Sequence, residues 1–145
     1  MSCRLGALFS GAAAEVVERM DGFGRDLGIA FQIADDLLDV LGEERTTGKS
    51  LGTDLEKQKP TLPVIRALEA ASEVDRQAIL DLVASDEQRV DLLPPYLERY
   101  EAVEYTRQRA IGFSRRARRH LEGLSSSPAH DVLTALTEFV VSRSM

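Results

Sequence analysis

The sequence predicts an all-α fold, an antiparallel helical bundle, on three observations. Apolar residues recur at helical spacing through nearly the whole chain. No run alternates apolar and polar residues as a half-buried strand would. Glycine and proline fall between the periodic segments rather than inside hairpin signals.

Taken in order, residues 3–19 are rich in alanine, with Gly6 and Gly11, and read as one helix packed closely against neighbours. Residues 22–41 make the most apolar helix. Phe23, Leu27, Ile29, Phe31, Ile33, Leu37, Leu38 and Val40 cover most of its circumference, which predicts burial on all sides. Gly42 is placed to stop it. Residues 42–59 scatter Gly42, Gly48 and Gly52 among charges and read as a loop. Pro60 suits a helix start, with Leu62, Val64, Ile65 and Leu68 following at helical spacing. Residues 73–84 carry Val74, Ile79, Leu82 and Val83 on one face. A short helix is expected from Asp86 to a stop at Pro94 and Pro95. A long amphipathic helix is expected over 95–124, a turn over 125–128, and a last helix over 131–142.

Composition narrows the function. With 145 residues and 43% apolar content, one domain with a real core is expected. The 18 basic against 24 acidic side chains leave a net charge of −6, which argues against nucleic acid as a partner because phosphate backbones attract basic surfaces. Cys3 is the single cysteine, so no internal disulfide can form, and a reduced, cytoplasmic setting is expected. The small-residue run after Arg4 has almost no charged leader before it and passes straight into Glu15 and Glu18, unlike a secretory signal. No apolar stretch approaches the ~18 residues that span a bilayer.

The chemistry is concentrated on the helix at 22–41. Asp35 and Asp36 lie four and three residues before Asp39, so both share a face with it, and Gln32 lies one turn earlier. Three carboxylates so close repel one another, and the apolar flanks add a desolvation cost. A bound cation would offset both. Oxygen-only ligands suit a hard ion such as Mg²⁺, which keeps waters and reaches through to phosphates. On an ordinary surface helix the same pattern would be a solvated acidic face. The loop that follows carries Arg45, Lys49, Lys57 and Lys59 among glycines, the charge a diphosphate needs. A phosphate-loop pattern also begins at Gly42, but it has five residues between its glycines where four are required, and it follows a helix rather than a strand.

Residues 28–65, GIAFQIADDLLDVLGEERTTGKSLGTDLEKQKPTLPVI, resemble the trans-polyprenyl diphosphate synthases. The second aspartate-rich motif of that family, F-Q-x-x-D-D-x-x-D, is matched by Phe31, Gln32, Asp35, Asp36 and Asp39. Its G-K-x-x-G-x-D-L and G-K-x-T-L-P elements are matched by Gly48, Lys49, Gly52, Asp54, Leu55, Lys59, Thr61, Leu62 and Pro63, with Gln58 in place of the usual glycine. A weaker likeness continues through residues 102–105 and the last helix. The resemblance implies an enzyme that joins an allylic prenyl diphosphate to isopentenyl diphosphate with Mg²⁺. It implies that Asp35 binds the metal with Asp36 and Asp39 in support, that Lys49 and Lys59 hold the diphosphate, and that Gln32 faces the reacting end. It further implies residues 1–145 as the C-terminal part of such a domain. The family's first aspartate-rich motif has no counterpart here, so the chain alone is expected to be inactive and to need a homodimer partner or a separate N-terminal half.

A non-catalytic helical subunit that regulates a partner synthase is the competing expectation, and a terpene cyclase fits the lysine loop less well. Tyr96, Tyr100 and Tyr105 read as packing residues, and Arg115, Arg116, Arg118, Arg119 and His120 as a solvated face. His120 and His130 are expected to have no catalytic partners.

Overall fold

The computed structural model describes residues 1–41, 61–84 and 92–143. The loop at 42–59, with Gly42, Lys49, Gln58 and Lys59, and the start of the helix expected from Asp86 therefore lie outside the described residues. Among those described, every regular element is a helix: α1 Ser2–Phe9, α2 Ala14–Leu41, α3 Leu62–Ala70, α4 Glu73–Ala84, α5 Pro94–Arg99, α6 Ala102–Leu121 and α7 Pro128–Ser142. None of them is long and apolar enough to cross a membrane.

The expected helix over 3–19 is divided. Gly11 takes φ +74, the left-handed conformation that glycine adopts without steric cost, and this ends α1. The Ser10 hydroxyl donates to the Ala7 carbonyl at 2.8 Å, covering one of the open acceptors at that end. In turn, α2 runs without a break for 28 residues, through the boundary expected near residue 21. Gly22 sits inside it for packing rather than to end it. A Cβ there would lie 2.4 Å from His120 Cε1.

The chain forms two compact units. The first comprises residues 1–34 and 109–145. Phe23, Ala117 and Leu121 form one buried cluster, closed by Cys3, Met20, Leu27, Leu124 and Leu133. Ala30, Ala34 and Val140 form another, with Phe113 against it. Asp26 is buried among them, its side chain 3% exposed. An isolated buried carboxylate would be costly, and here Arg116 pairs with it at 3.0 Å while His120 Nε2 donates to it at 3.1 Å. Two members of the basic cluster expected to be a solvated face are thus committed to one buried acid, and Arg118 pairs with Glu138. The last helix starts at Pro128, three residues earlier than expected. The Ser127 hydroxyl caps it by accepting from the His130 N–H, and the proline occupies a position that has no N–H to lose. Leu8 and Phe9 of α1 and a stripe of Val132, Leu136 and Phe139 on α7 stay exposed.

The second unit comprises residues 35–108. Its core is Val40, Val64, Ala67, Ala71, Ile79, Leu93, Leu97 and Ala102. Pro94 and Pro95 begin α5, since a helix start is where proline costs nothing, while most of the short helix expected before them lies outside the described residues. The expected long helix over 95–124 breaks at Tyr100 and Glu101, with Glu101 at φ 50. In an unbroken helix Leu97 and Ala102 would point about 140° apart. The break lets both enter the same core. It also lets the Tyr100 hydroxyl donate to Asp75 Oδ2 at 2.6 Å while accepting from the Ser72 N–H at 3.2 Å. Arg99 pairs with the same carboxylate at 2.8 Å. Tyr100 is therefore a tether rather than a plain packing residue.

Two outcomes follow for stability. Gly22→Ala should lower stability by about 1–3 kcal/mol in thermal melts, the usual cost of forcing an atom into a filled space. In a His120→Ala background the same change should be neutral or stabilising, since alanine is the better helix former. Tyr100, then Arg99, hold the Asp75 carboxyl below the ordinary carboxylate value. A lowered folded-state value means stabilisation that is present above the unfolded value of 3.8 and is lost as pH falls through the folded one. Asp75→Asn should accordingly flatten the acid limb of the stability curve and leave its slope near neutrality unchanged.

Candidate functional site

Helix α2 is buried along one stripe only. Phe23, Asp26, Ala30, Ile33, Ala34, Leu37 and Val40 face inward at spacings of three and four, as expected of an amphipathic helix. The burial on all sides expected from composition is not found. Phe31 is 38% exposed and lies under the Arg143 guanidinium, 5.0 Å from its ring centre. The apolar residues beside the acidic motif therefore surround it less completely than their number suggests.

Gln32 is exposed on α2, while Asp35, Asp36 and Asp39 are half-buried at the edges of the stripe. Leu37, 1% exposed, and Val40 anchor this stretch from within. The three carboxylates share a helix, but adjacent residues differ by about 100° around its axis, so Asp35 and Asp36 leave in different directions. Asp36 turns to α3, where its Oδ2 accepts the backbone N–H of Leu62 at 2.9 Å. Among the described residues, no group of three or more histidine, cysteine or acidic side chains is gathered closely enough to hold a metal ion. Lys49 and Lys59 lie outside the described residues.

The segment after Lys59 is described from Thr61 onward. Thr61, Pro63 and Val64 are buried, and Val64 shares a core with Val40 of α2. The start of α3 is thus packed against the acidic end of α2. One turn further along, Arg66 stacks over the Tyr105 ring at 4.8 Å. The acidic motif and the T-L-P element, 22 or more residues apart in sequence, are held together by apolar packing and by the hydrogen bond from Leu62 N–H to Asp36.

A family model for polyprenyl synthetase matches residues 1–99, which include both of these elements. The chain belongs to the polyprenyl synthetase family. The short chain isoprenyl diphosphate synthase of Methanothermobacter thermautotrophicus is 38% identical over 141 residues, which are 97% of this chain and 43% of that protein. The crystal structure of a decaprenyl diphosphate synthase from Rhodobacter capsulatus superposes with a TM-score of 0.87 at 32% identity, over 98% of this chain and 45% of the other. A geranylgeranyl pyrophosphate synthase from Corynebacterium glutamicum, solved with isoprenyl diphosphate and magnesium, gives 0.84 at 28% identity, over 96% of this chain and 41% of the other. The chain spans a little under half the length of these relatives. The structural likeness reaches past the family match, so α6 and α7 belong to the synthetase fold as well.

Two features of the region escape a reading by spacing. Asp36 is indistinguishable from its neighbours in the motif, and its bond to Leu62, 26 residues on, cannot be read from spacing. His120 has no partner nearby in sequence, and its contact with Asp26 spans 94 residues.

The inward anchor of the acidic helix can be checked directly. Leu37→Ala should cost about 2–5 kcal/mol, as truncations of buried leucines do. Chemical denaturation should record it as a lower midpoint.

Proposed function

We propose that this chain carries the second acidic motif and the lysine segment of a prenyltransferase that joins an allylic prenyl diphosphate to isopentenyl diphosphate. The observation that carries the reading is the acidic helix packed on the T-L-P helix, within a chain of the polyprenyl synthetase family. A relative of similar fold binds isoprenyl diphosphate together with magnesium, which supports the same ligand class here.

The donor set suits Mg²⁺. Asp35, Asp36 and Asp39 offer only hard oxygen atoms, and they are half-buried rather than fully hydrated. A closed cage of three protein ligands is not required, because Mg²⁺ is commonly held by one or two carboxylates with waters and substrate phosphates. When bound, Mg²⁺ would supply positive charge at a departing diphosphate. The chain's own part is to place charge. Lys49 and Lys59 would pair with the diphosphate oxygens and stabilise the negative charge that develops on departure. Gln32, exposed one turn before the aspartates, would face the reacting end with a neutral amide. The inward stripe of α2 sets the rotation of Gln32 and the aspartates about the helix without taking part in the chemistry.

The relatives are about twice as long, and elongation would require groups beyond those of this chain, from a homodimer partner or an N-terminal half. A cytoplasmic enzyme fits these substrates and the single cysteine, Cys3.

Calorimetry with pyrophosphate and Mg²⁺ should give weak binding for the wild type, reduced by at least about tenfold in Asp35→Ala. Equal heats for both proteins would remove the site. With radiolabelled isopentenyl diphosphate and an allylic primer, the purified chain should make no elongated product. Absence of both binding and turnover would favour a non-catalytic helical subunit instead.

A further inference from the structure

Helix α6 carries five arginines and no acid between Arg109 and Leu121, so a chain of net charge −6 concentrates a charge of +5 on one helix. We infer that the outward face of α6, centred on Arg115 and Arg119, docks on an anionic membrane surface by binding lipid phosphates. The choice of a membrane rests on the functional reading above, since a growing prenyl chain is hydrocarbon and favours a bilayer over water. The charged face is independent of that reading.

Buried neighbours decide which way the face points. Ala110, Ser114, Ala117 and Leu121 are buried along one stripe of α6. Arg115 and Arg119 each lie two residues from Ala117, about 160° around the helix axis from it, and both are exposed. Neither pairs with an acid among the described residues. Like charges one turn apart destabilise a helix, so this pair carries a cost that the described residues do not offset. Beside it, the Arg109 and Arg116 guanidiniums lie over the same Phe113 ring, at 5.5 and 4.8 Å from its centre. Arg116 meets the buried Asp26, and Arg118 meets Glu138, so both of these have acidic partners. The helix dipole favours cations in the last turn, which accounts for Arg118 and Arg119. Its effect fades within that turn and leaves Arg109 and Arg115 without a local reason.

A guanidinium is a planar fork that matches a phosphate with two parallel hydrogen bonds, and several arginines on one helix face suit a surface of phosphate headgroups. Among the described residues from Arg109 to Leu121, none of the large apolar side chains is exposed, so the contact is made by charge without insertion. A charge more than a Debye length from the surface, about 8 Å at physiological salt, is largely screened. The acidic remainder of the chain therefore opposes docking weakly when α6 faces the lipid. A nucleic acid offers the same phosphates, but the proposed reaction has no use for one, whereas its product has to reach a bilayer.

The test is co-sedimentation of the 145-residue chain with vesicles of phosphatidylcholine alone or mixed with an equal part of phosphatidylglycerol. The wild type should bind the anionic vesicles, leave the neutral ones, and be released as salt is raised. The double variant Arg115→Glu, Arg119→Glu should bind at least about tenfold more weakly, because each arginine near an anionic surface is worth about fivefold. Arg115→Lys with Arg119→Lys should stay within about threefold of wild type. Arg4→Glu with Arg25→Glu changes the net charge equally but away from α6, and should also stay within about threefold. Thermal melts and calorimetry with Mg²⁺ and pyrophosphate should match wild type for the Arg115→Glu, Arg119→Glu variant. The inference is overturned if the wild type leaves the anionic vesicles in solution, or if it binds neutral ones as well. It is equally overturned if the two glutamate variants lose binding alike, since net charge rather than this face would then matter. Release by inorganic phosphate well beyond that by chloride of equal ionic strength would make α6 a site for a free anion, and tighter binding to duplex DNA than to the vesicles would make it a nucleic-acid surface; either result sinks the membrane assignment. Vesicle binding by a chain that gives no heat with magnesium pyrophosphate removes the functional reading and leaves the docking face standing.

Discussion

The inward stripe of α2 is the constraint on which both the fold and the site depend. Phe23, Ala30, Ile33, Ala34, Leu37 and Val40 repeat at helical spacing over a single unbroken helix. Each large side chain removed from water contributes roughly 1.5–3 kcal/mol, so together they set the rotation of the helix about its axis. Turning it by one residue, about 100°, would bring carboxylates to the core and leucines to water. The direction in which Asp35, Asp36 and Asp39 leave the helix is therefore decided by neighbours that have no chemistry of their own.

Acidic side chains do several different jobs on this scaffold, and environment separates them. Asp26 is buried and is offset by Arg116 and His120, so its role is to hold α6 on α2. Asp75 gathers Tyr100 and Arg99 at the break before α6. Asp36 meets a backbone N–H at the start of α3. In each case the carboxylate satisfies a donor that the local chain cannot satisfy by itself.

The family relation joins synthases named for short and for decaprenyl products, and both match nearly the whole chain. What the chain shares with them is accordingly common to both product classes. The diphosphate-handling role proposed for this chain fits that pattern, because the leaving group is the same whatever the length of the hydrocarbon attached to it. Charge placed on rigid helices serves such a task well, since it need not reorganise as the diphosphate departs.

The sequence by itself determined the helical class, the positions of most helices and the family, because helical periodicity and the F-Q-x-x-D-D-x-x-D and T-L-P elements are local patterns. The tertiary structure decided where helices stop. Gly11 ended a helix and Gly22 did not, because only Gly22 has the His120 ring against it. The helix expected over 95–124 broke at Tyr100, because Leu97 and Ala102 cannot both reach one core from a straight helix. The tie of Asp36 to the start of α3 was likewise invisible in the motif. Its partner lies 26 residues away, and a hydrogen bond between two helices exists only once packing has brought them together.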